Sequence, residues 1–353
     1  MQKQCAIIGY GGMGEWHGDF IRTAMTDCLT LRGVWDVRPE RRQHAESKGI
    51  AAYESLEALL ADEAVELVTL AVPNDFHKPL AIACLQAGKN VVCEKPVMLN
   101  AAELAQVQAV ARACGKVFTV HQNRRWDKDF VTVKQVLQSG VIGQPYMIES
   151  RVQGSRRVLN GWRGVKREGG GMLLDWGVHL LDQLLWLIDS PVVEVGAHLF
   201  ALMPGVEVDD NMDVFLRFQN GVSALVQVAT NCFVLQPRWH VSCREGTLQV
   251  DDWNVNGKIV KLADDSEMAW DEVITYTAAG PTRTMAPRPR ETVEELPLPD
   301  VPTHLEEYYR NVCAAIDGKA ELIVTPAQAM RVMQVVDAAF AAQEQGHSIR
   351  CEI

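Results

Sequence analysis

Residues 9–14 read Gly-Tyr-Gly-Gly-Met-Gly, a GxGxxG run set between an apolar stretch, Cys5–Ile8, and a segment of helical spacing from Met13 to about Met25. A short glycine pattern is common by itself. Here a strand precedes it, a helix follows it, and the carboxylate Asp36 stands near the end of the next strand, Leu29–Val37. That context predicts the first turn of a doubly wound βαβ unit that binds a dinucleotide. Gly9 permits the tight turn, Gly11 lets backbone approach a pyrophosphate, and Gly14 lets the helix pack on the strand. With Gly12 and Met13 these residues form the expected cradle, and the helix N-terminus supplies unpaired N–H groups for the phosphates. Asp36 is placed to bind ribose hydroxyls and would repel a 2′-phosphate, so NAD is the favoured cofactor. Arg38 and Arg41 lie close enough to soften that preference, which keeps NADP as the second option.

Strand–helix alternation continues through the first third. Val65–Val72 is an apolar, β-branched run stopped by Pro73, Phe76–Ala87 has helical spacing, and Asn90–Cys93 and Lys116–Val120 read as strands. Asn100 with Glu103 predicts a capping box for a helix through Ala113. Such alternation implies a parallel sheet covered on both faces. The pattern changes after residue 122. A helix is expected over Asp127–Leu137, an extended segment over Tyr146–Gln153, and an apolar helix from Gly169–Gly171 through Ile188. Val192–Val260 reads mostly as strands, with Asn220-Gly221 as a hairpin turn, so a mostly antiparallel sheet is expected there. Ala279–Pro302 is proline-rich and reads as an exposed loop. Thr303/Glu306 and Thr325/Gln328 read as capping boxes of two closing helices, with Pro326 at a first helical position. The expected organisation is a Rossmann domain over 1–122 and a substrate and oligomerisation domain over 123–353. The last helix, 325–345, is expected to pack back toward the first domain.

The 353 residues are ample for two cores. A net charge of −11 disfavours phosphate backbones and anionic lipid, so neither nucleic acid nor membrane is an expected partner. The nine cysteines form no CxxC pair and several sit in apolar runs, which suits a reducing compartment rather than a disulfide framework or a zinc site. The apolar N-terminal stretch is too short for a signal peptide, and the expected location is cytoplasmic.

Two further features carry chemistry. Glu94-Lys95-Pro96 follows a buried strand, and ligands of open α/β sheets sit beyond the strands' carboxyl ends. Lys95 is thereby placed to bind or polarise a substrate oxygen. In Gly169–Asp182 the polar side chains Asp175, His179 and Asp182 are spaced four and three apart, which places them on one helical face. Polar groups in an apolar helix cost free energy unless paired or used. His179 has a suitable pKa to accept a hydroxyl proton while hydride leaves the same carbon, and Asp175 is placed to orient substrate or ring.

These motifs together resemble the glucose–fructose oxidoreductase/inositol dehydrogenase (Gfo/Idh/MocA) family. The matching features are the early GxGxxG, Glu-Lys-Pro after the fifth strand, Val72-Pro73-Asn74 with His77, Ala87-Gly88-Lys89, the Asp-x-x-x-His helix and the Thr325-Pro326-Ala327 helix start. The resemblance spans essentially the whole chain. It implies a Rossmann fold joined to a domain on an open, mostly antiparallel sheet, and a homodimer or homotetramer. It implies hydride exchange between a nicotinamide cofactor and a sugar, polyol or inositol. Pro73, Asn74, His77 and Glu94 would then join the cofactor site, and Lys95, Asp175 and His179 the catalytic set. By the same resemblance Asn123, Arg124, Trp162 and Arg163 flank cofactor and substrate. Asp182 is a further substrate candidate, as is His121, at the end of the strand counted as sixth. Arg124 and Arg125 serve equally well as interdomain salt-bridge partners.

The resemblance leaves open whether Lys95 or His179 takes the proton; His179 is the preferred acceptor, with Lys95 stabilising the alkoxide. Some relatives instead cleave glycosides through transient oxidation by bound NAD, and others bind dinucleotide only to regulate. Retention of Lys95, Asp175 and His179 favours an enzyme. No metal site is expected: His44, His198, His240, His304 and His347 lack ligand spacing, and His17 reads as packed or solvated on the first helix.

Overall fold

The computed structural model describes residues 2–263, 274–282 and 288–353. The N-terminal part runs β1 (Lys3–Ile8), α1 (Gly12–Ala24), β2 (Leu29–Trp35), α2 (Pro39–Ser47), α3 (Leu56–Ala61), β3 (Leu67–Leu70), α4 (His77–Gln86), β4 (Asn90–Cys93), α5 (Ala101–Cys114) and β5 (Phe118–Val120). Among the described residues its sheet has five strands in the order β2-β1-β3-β4-β5, all parallel. β3, β4 and β5 are buried at every position, which is why they read as continuous apolar runs rather than alternating ones. The chain order reverses between β1 and β3, so a crevice opens beyond their carboxyl ends. Glu94-Lys95-Pro96 therefore follows the fourth strand and His121 the fifth, one fewer in each case than expected. The segment after α2 adds only a single bridge, Val34 to Ala52.

The second part begins with α6 (Lys128–Ser139) and β6 (Pro145–Gln153). A wide π turn, Leu173–Gly177, then leads into α7 (Val178–Leu187). The strands β7 (Val192–Phe200), β8 (Asn211–Phe218), β9 (Ser223–Ala229), β10 (Trp239–Cys243), β11 (Gly246–Val250) and β12 (Gly257–Leu262) follow. A small hairpin, β13 (Thr275–Thr277) and β14 (Gly280–Thr282), precedes β15 (Val293–Leu296), α8 (Glu306–Ile316), α9 (Pro326–Gln345) and β16 (Ile349–Arg350). The large sheet has the order β15-β12-β11-β10-β6-β9-β8-β7-β16, antiparallel except for the β6–β9 pair. β9 alternates buried and half-buried residues, as a sheet with one covered face requires. α7 and α9 cover that face.

Three local expectations change. The proline-rich 279–302 segment is not all loop, since Val293–Leu296 pairs with β12 as the sheet's edge; residues 283–287 lie outside the described residues. Thr303 does not cap α8, which begins at Glu306 behind Leu305 with no side-chain cap. The expected long helix from the glycine run is interrupted by the π turn.

α9 starts with the Thr325/Gln328 capping box and Pro326 in its first turn. Gln108 of α5 donates to Pro326 O (2.7 Å), and the Ala101 N–H donates to Asp337 (3.0 Å). α8 returns to the first sheet as well: Tyr309 lies 3.1 Å from Thr69 Oγ1 of β3. Among the described residues no helix is long and apolar enough to cross a membrane.

Candidate active site

A cavity of about 950 Å³ opens at the crevice, running from the glycine turn past Asp36, Arg38 and Arg41 to Pro73, Asn74, Lys95, Trp162 and Arg163. Gly9 has φ +90°, and a Cβ there would lie 2.4 Å from Ala71 O. A Cβ on Gly14 would lie 1.9 Å from Gly9 O, so α1 can close on β1 only at glycine. Gly11 and Gly12 differ. A Cβ on Gly11 meets only the Arg38 guanidinium at 3.9 Å, and one on Gly12 meets nothing within 4 Å. Protein packing does not require those two glycines, whereas a ligand seated on the turn would. α1 has no side-chain N-cap, so its first N–H groups are left for a ligand's anionic group. The cradle thus fits a dinucleotide pyrophosphate.

Asp36 is nearly buried, with Oδ2 accepting Tyr10 N–H (2.7 Å) and Oδ1 accepting Arg38 N–H (2.9 Å). It fastens the glycine turn to the end of β2; Oδ1 also accepts from Arg38 Nε (3.4 Å), which leaves Oδ2 with spare lone-pair capacity. Arg38 and Arg41 line the same end.

At the other end Lys95 Nζ donates to Asp175 Oδ1 (2.8 Å) and to Asp175 O (2.9 Å). Arg163 Nε donates to Asp175 Oδ2 (2.9 Å). Burial alone would raise the Asp175 carboxyl, but Lys95 and Arg163 outweigh it and hold the group below the usual carboxylate range. His179 is buried, and its Nδ1 lies 3.2 Å from Gln122 Oε1. An amide oxygen only accepts, so Nδ1 carries the hydrogen and Nε2 is left as a bare acceptor. Burial, reinforced by the Lys95 and Arg124 cations, holds the ring well below the ordinary histidine range, so it is neutral near pH 7.

Behind Lys95 lies a second cluster. Glu94 Oε1 accepts from His17 Nε2 and His121 Nδ1, each at 2.8 Å, and Oε2 accepts Lys95 N–H at 3.1 Å. Tyr309 Oη lies 2.9 Å from His17 Nδ1. The three ligand-type atoms of His17, Glu94 and His121 lie within 4.8 Å of one another. Both ring nitrogens are already engaged with Glu94, so the arrangement reads as a hydrogen-bond cluster.

Comparison with known proteins agrees with this architecture. Residues 3–122 match the sequence profile of an oxidoreductase family with an NAD-binding Rossmann fold, and residues 130–249 match the GFO/IDH/MocA C-terminal domain. This chain belongs to the GFO/IDH/MocA family. A crystal structure of an NAD-binding protein from Listeria innocua is 42% identical, with a TM-score of 0.93 over 99% of both chains. The Escherichia coli oxidoreductase YdgJ is 29% identical over 338 residues, covering 94% of this chain and 93% of its own. The scyllo-inositol 2-dehydrogenase (NADP(+)) IolW of Bacillus subtilis is 26% identical over 351 residues, covering 98% and 95%. The GFO/IDH/MocA chain described here is accordingly an oxidoreductase of a family that binds NAD or NADP.

The expected site residues divide in the structure. Gly9, Gly11, Gly12, Met13, Asp36, Arg38, Pro73, Asn74, Glu94, Lys95, Trp162 and Arg163 line the cavity. Gly14 lies beneath it, and Asp175 and His179 are not among its lining residues, Asp175 being tied to them through Lys95 and Arg163. His77 does not reach it: the ring is fully buried, 2.8 Å from Pro96 O and 3.0 Å from Val72 O, where it props the two loops that do. Asp182 shares no environment with Asp175. Its carboxylate takes both forks of Arg125 at 2.7 and 2.6 Å, inside the protein. The one-face expectation assumed a regular helix; the π turn and three different sets of partners separate the side chains. His121 points to Glu94, and Asn123 lies on a 3-10 turn outside the cavity lining. Arg124 stacks 4.1 Å over Trp176, which meets the His179 ring edge-on at 5.9 Å, and it pairs with nearby Asp127 rather than across domains.

Nothing local in the sequence marks Gln122 or Tyr309 as functional. Gln122 adjoins the NRRW run and carries no motif. Tyr309 reaches His17 across 292 residues, a separation for which no local pattern exists.

Proposed function

We propose that this chain moves a hydride between a nicotinamide cofactor and a CH–OH or keto carbon of a sugar, polyol or inositol, with His179 as acid/base and Lys95 as electrostatic partner. The reading is supported by one observation: Lys95 lines the dinucleotide cavity and pairs with Asp175, while neutral His179 leaves Nε2 without a hydrogen-bond partner among the described residues. The bound nicotinamide supplies the hydride acceptor or donor. In oxidation, His179 Nε2 takes the hydroxyl proton as hydride leaves the same carbon. Lys95 lowers the energy of the developing alkoxide, and Asp175 holds the ammonium in place. In reduction the protonated His179 returns the proton to the oxygen. The inositol dehydrogenase named above supports this substrate class. The half-exposed Phe200 and Phe215 on the large sheet support a homodimer or homotetramer; a monomer by light scattering would exclude one.

The test follows reduced nicotinamide with NAD⁺ and NADP⁺ over a panel of sugars, polyols and inositols. Turnover that is lost in His179→Ala while cofactor binding persists is the expected result. Turnover without net reduced cofactor would point instead to glycoside cleavage.

A further inference from the structure

Glu94 is the most elaborately held carboxylate beside the cavity. It lines the cavity with Lys95 and Pro73, yet its side chain is only 8% exposed. A carboxylate only accepts, so His17 Nε2 and His121 Nδ1 are both the protonated nitrogens. His17 Nδ1 is then bare and receives the Tyr309 hydroxyl hydrogen at 2.9 Å. Tyr309 Oη in turn lies 3.1 Å from Thr69 Oγ1. His121 Nε2 is buried with no hydrogen-bond partner, so Glu94 is the one polar group among the described residues that holds this ring. Glu94 thus accepts three N–H donors, one from each buried ring and one from the Lys95 backbone. Burial would raise its carboxyl, but the two histidines outweigh that and hold it well below the usual range.

Four elements meet in this cluster: α1, whose start forms the glycine cradle, the ends of β4 and β5, and α8 returning from the far end of the chain. The remaining charges on this side are Lys95, Asp175 and Arg163, which pair with one another. None of them donates to the Glu94 carboxylate through its side chain. A fixed anion at the wall of a cavity acts most strongly on a ligand whose charge changes there. A nicotinamide ring is cationic when oxidised and neutral when reduced.

We propose that the Tyr309–His17–Glu94–His121 cluster sets the balance between oxidised and reduced cofactor in the cavity, the Glu94 carboxylate favouring the oxidised form. The inference rests on the dinucleotide reading of the cavity. It biases the bound equilibrium toward carbonyl reduction: the carbonyl carbon gains a hydride and its oxygen a proton as NADH becomes NAD⁺. Glu94 acts on the ring by charge, and His17, His121 and Tyr309 are positioning residues.

The experiment titrates wild type, Glu94→Gln and Tyr309→Phe with NADH by fluorescence and with NAD⁺ by competition. In Glu94→Gln the ratio Kd(NAD⁺)/Kd(NADH) is expected to rise about tenfold. Tyr309→Phe should move it the same way by a smaller factor. A merely structural role would weaken both forms alike and leave the ratio unchanged; that result, with both nucleotides still bound, overturns the inference. If Glu94→Gln fails to fold by circular dichroism, Tyr309→Phe decides by the same ratio. Failure of the wild type to bind either form would instead overturn the dinucleotide reading itself.

Discussion

Lys95 Nζ reaches both the side chain and the main chain of Asp175, at 2.8 and 2.9 Å, so the end of β4 in the first sheet is clamped to the π turn beneath the second. One ion pair thereby joins the cofactor half of the site to the half that carries His179. Lys95→Met should leave the fold and cofactor binding nearly intact while lowering kcat by roughly 10²–10⁴-fold, the scale of one lost acid–base or electrostatic group. Stopped-flow or steady-state assays with the best substrate check it; a loss confined to KM would place Lys95 in binding alone.

The same clamp sets a pH dependence. His179 is held low by burial first and then by Lys95 and Arg124. For alcohol oxidation the ring must be neutral, so activity should persist as pH falls below about 6.5, the ordinary histidine value, and decline only further down. Lys95→Met removes a cation and should move that acid limb upward. A wild-type limb centred at the ordinary histidine value would remove His179 from the acid/base role.

Buried His17 and His77 are also held low by burial. A folded-state pKa below the unfolded value means that the unfolded chain binds more protons just below about pH 6.5. Stability therefore falls as pH drops from there toward the folded pKa values. Thermal unfolding between pH 7.5 and 5 should show Tm decreasing on the acid side; a flat Tm would mean that these rings are charged in the fold.

The glycine turn yields a contrast between neighbours. Gly12→Ala places a Cβ in open space, so Tm should be unchanged while dinucleotide affinity falls. Gly14→Ala drives a Cβ against Gly9 O and should lower stability itself, by about 1–3 kcal/mol. Calorimetry alongside cofactor titration separates the two, and equal Tm losses would contradict the packing described.

At the end of the cavity beside β2, Asp36 holds the turn while Arg38 and Arg41 flank it. Binding of both cofactors is expected, with Arg38→Ala weakening NADP more than NAD through the lost partner for a 2′-phosphate. Equal losses for the two cofactors would show that Arg38 does not meet that phosphate.

Much of this protein was legible in the sequence because the signals are local. GxGxxG, strand-ending Glu-Lys-Pro and the capping box at Thr325 depend on neighbours within a few residues, where backbone geometry and side-chain reach dictate the outcome. Fully buried strands announced themselves as apolar runs, and the hairpin at Asn220-Gly221 needed only its turn chemistry. Partnership did not follow from spacing. Asp182 shares its helical stretch with His179, yet Arg125, 57 residues away, captures both its oxygens in the interior. Lys95 and Asp175 are 80 residues apart, and His17 and Tyr309 are 292 apart. Such contacts exist only once two sheets and the returning helices have packed. The sequence by itself determined which groups were present and where along each element they stood. Tertiary packing decided which of them were neutralised inside and which were left facing the cavity, because burial and charge pairing act through space rather than along the chain.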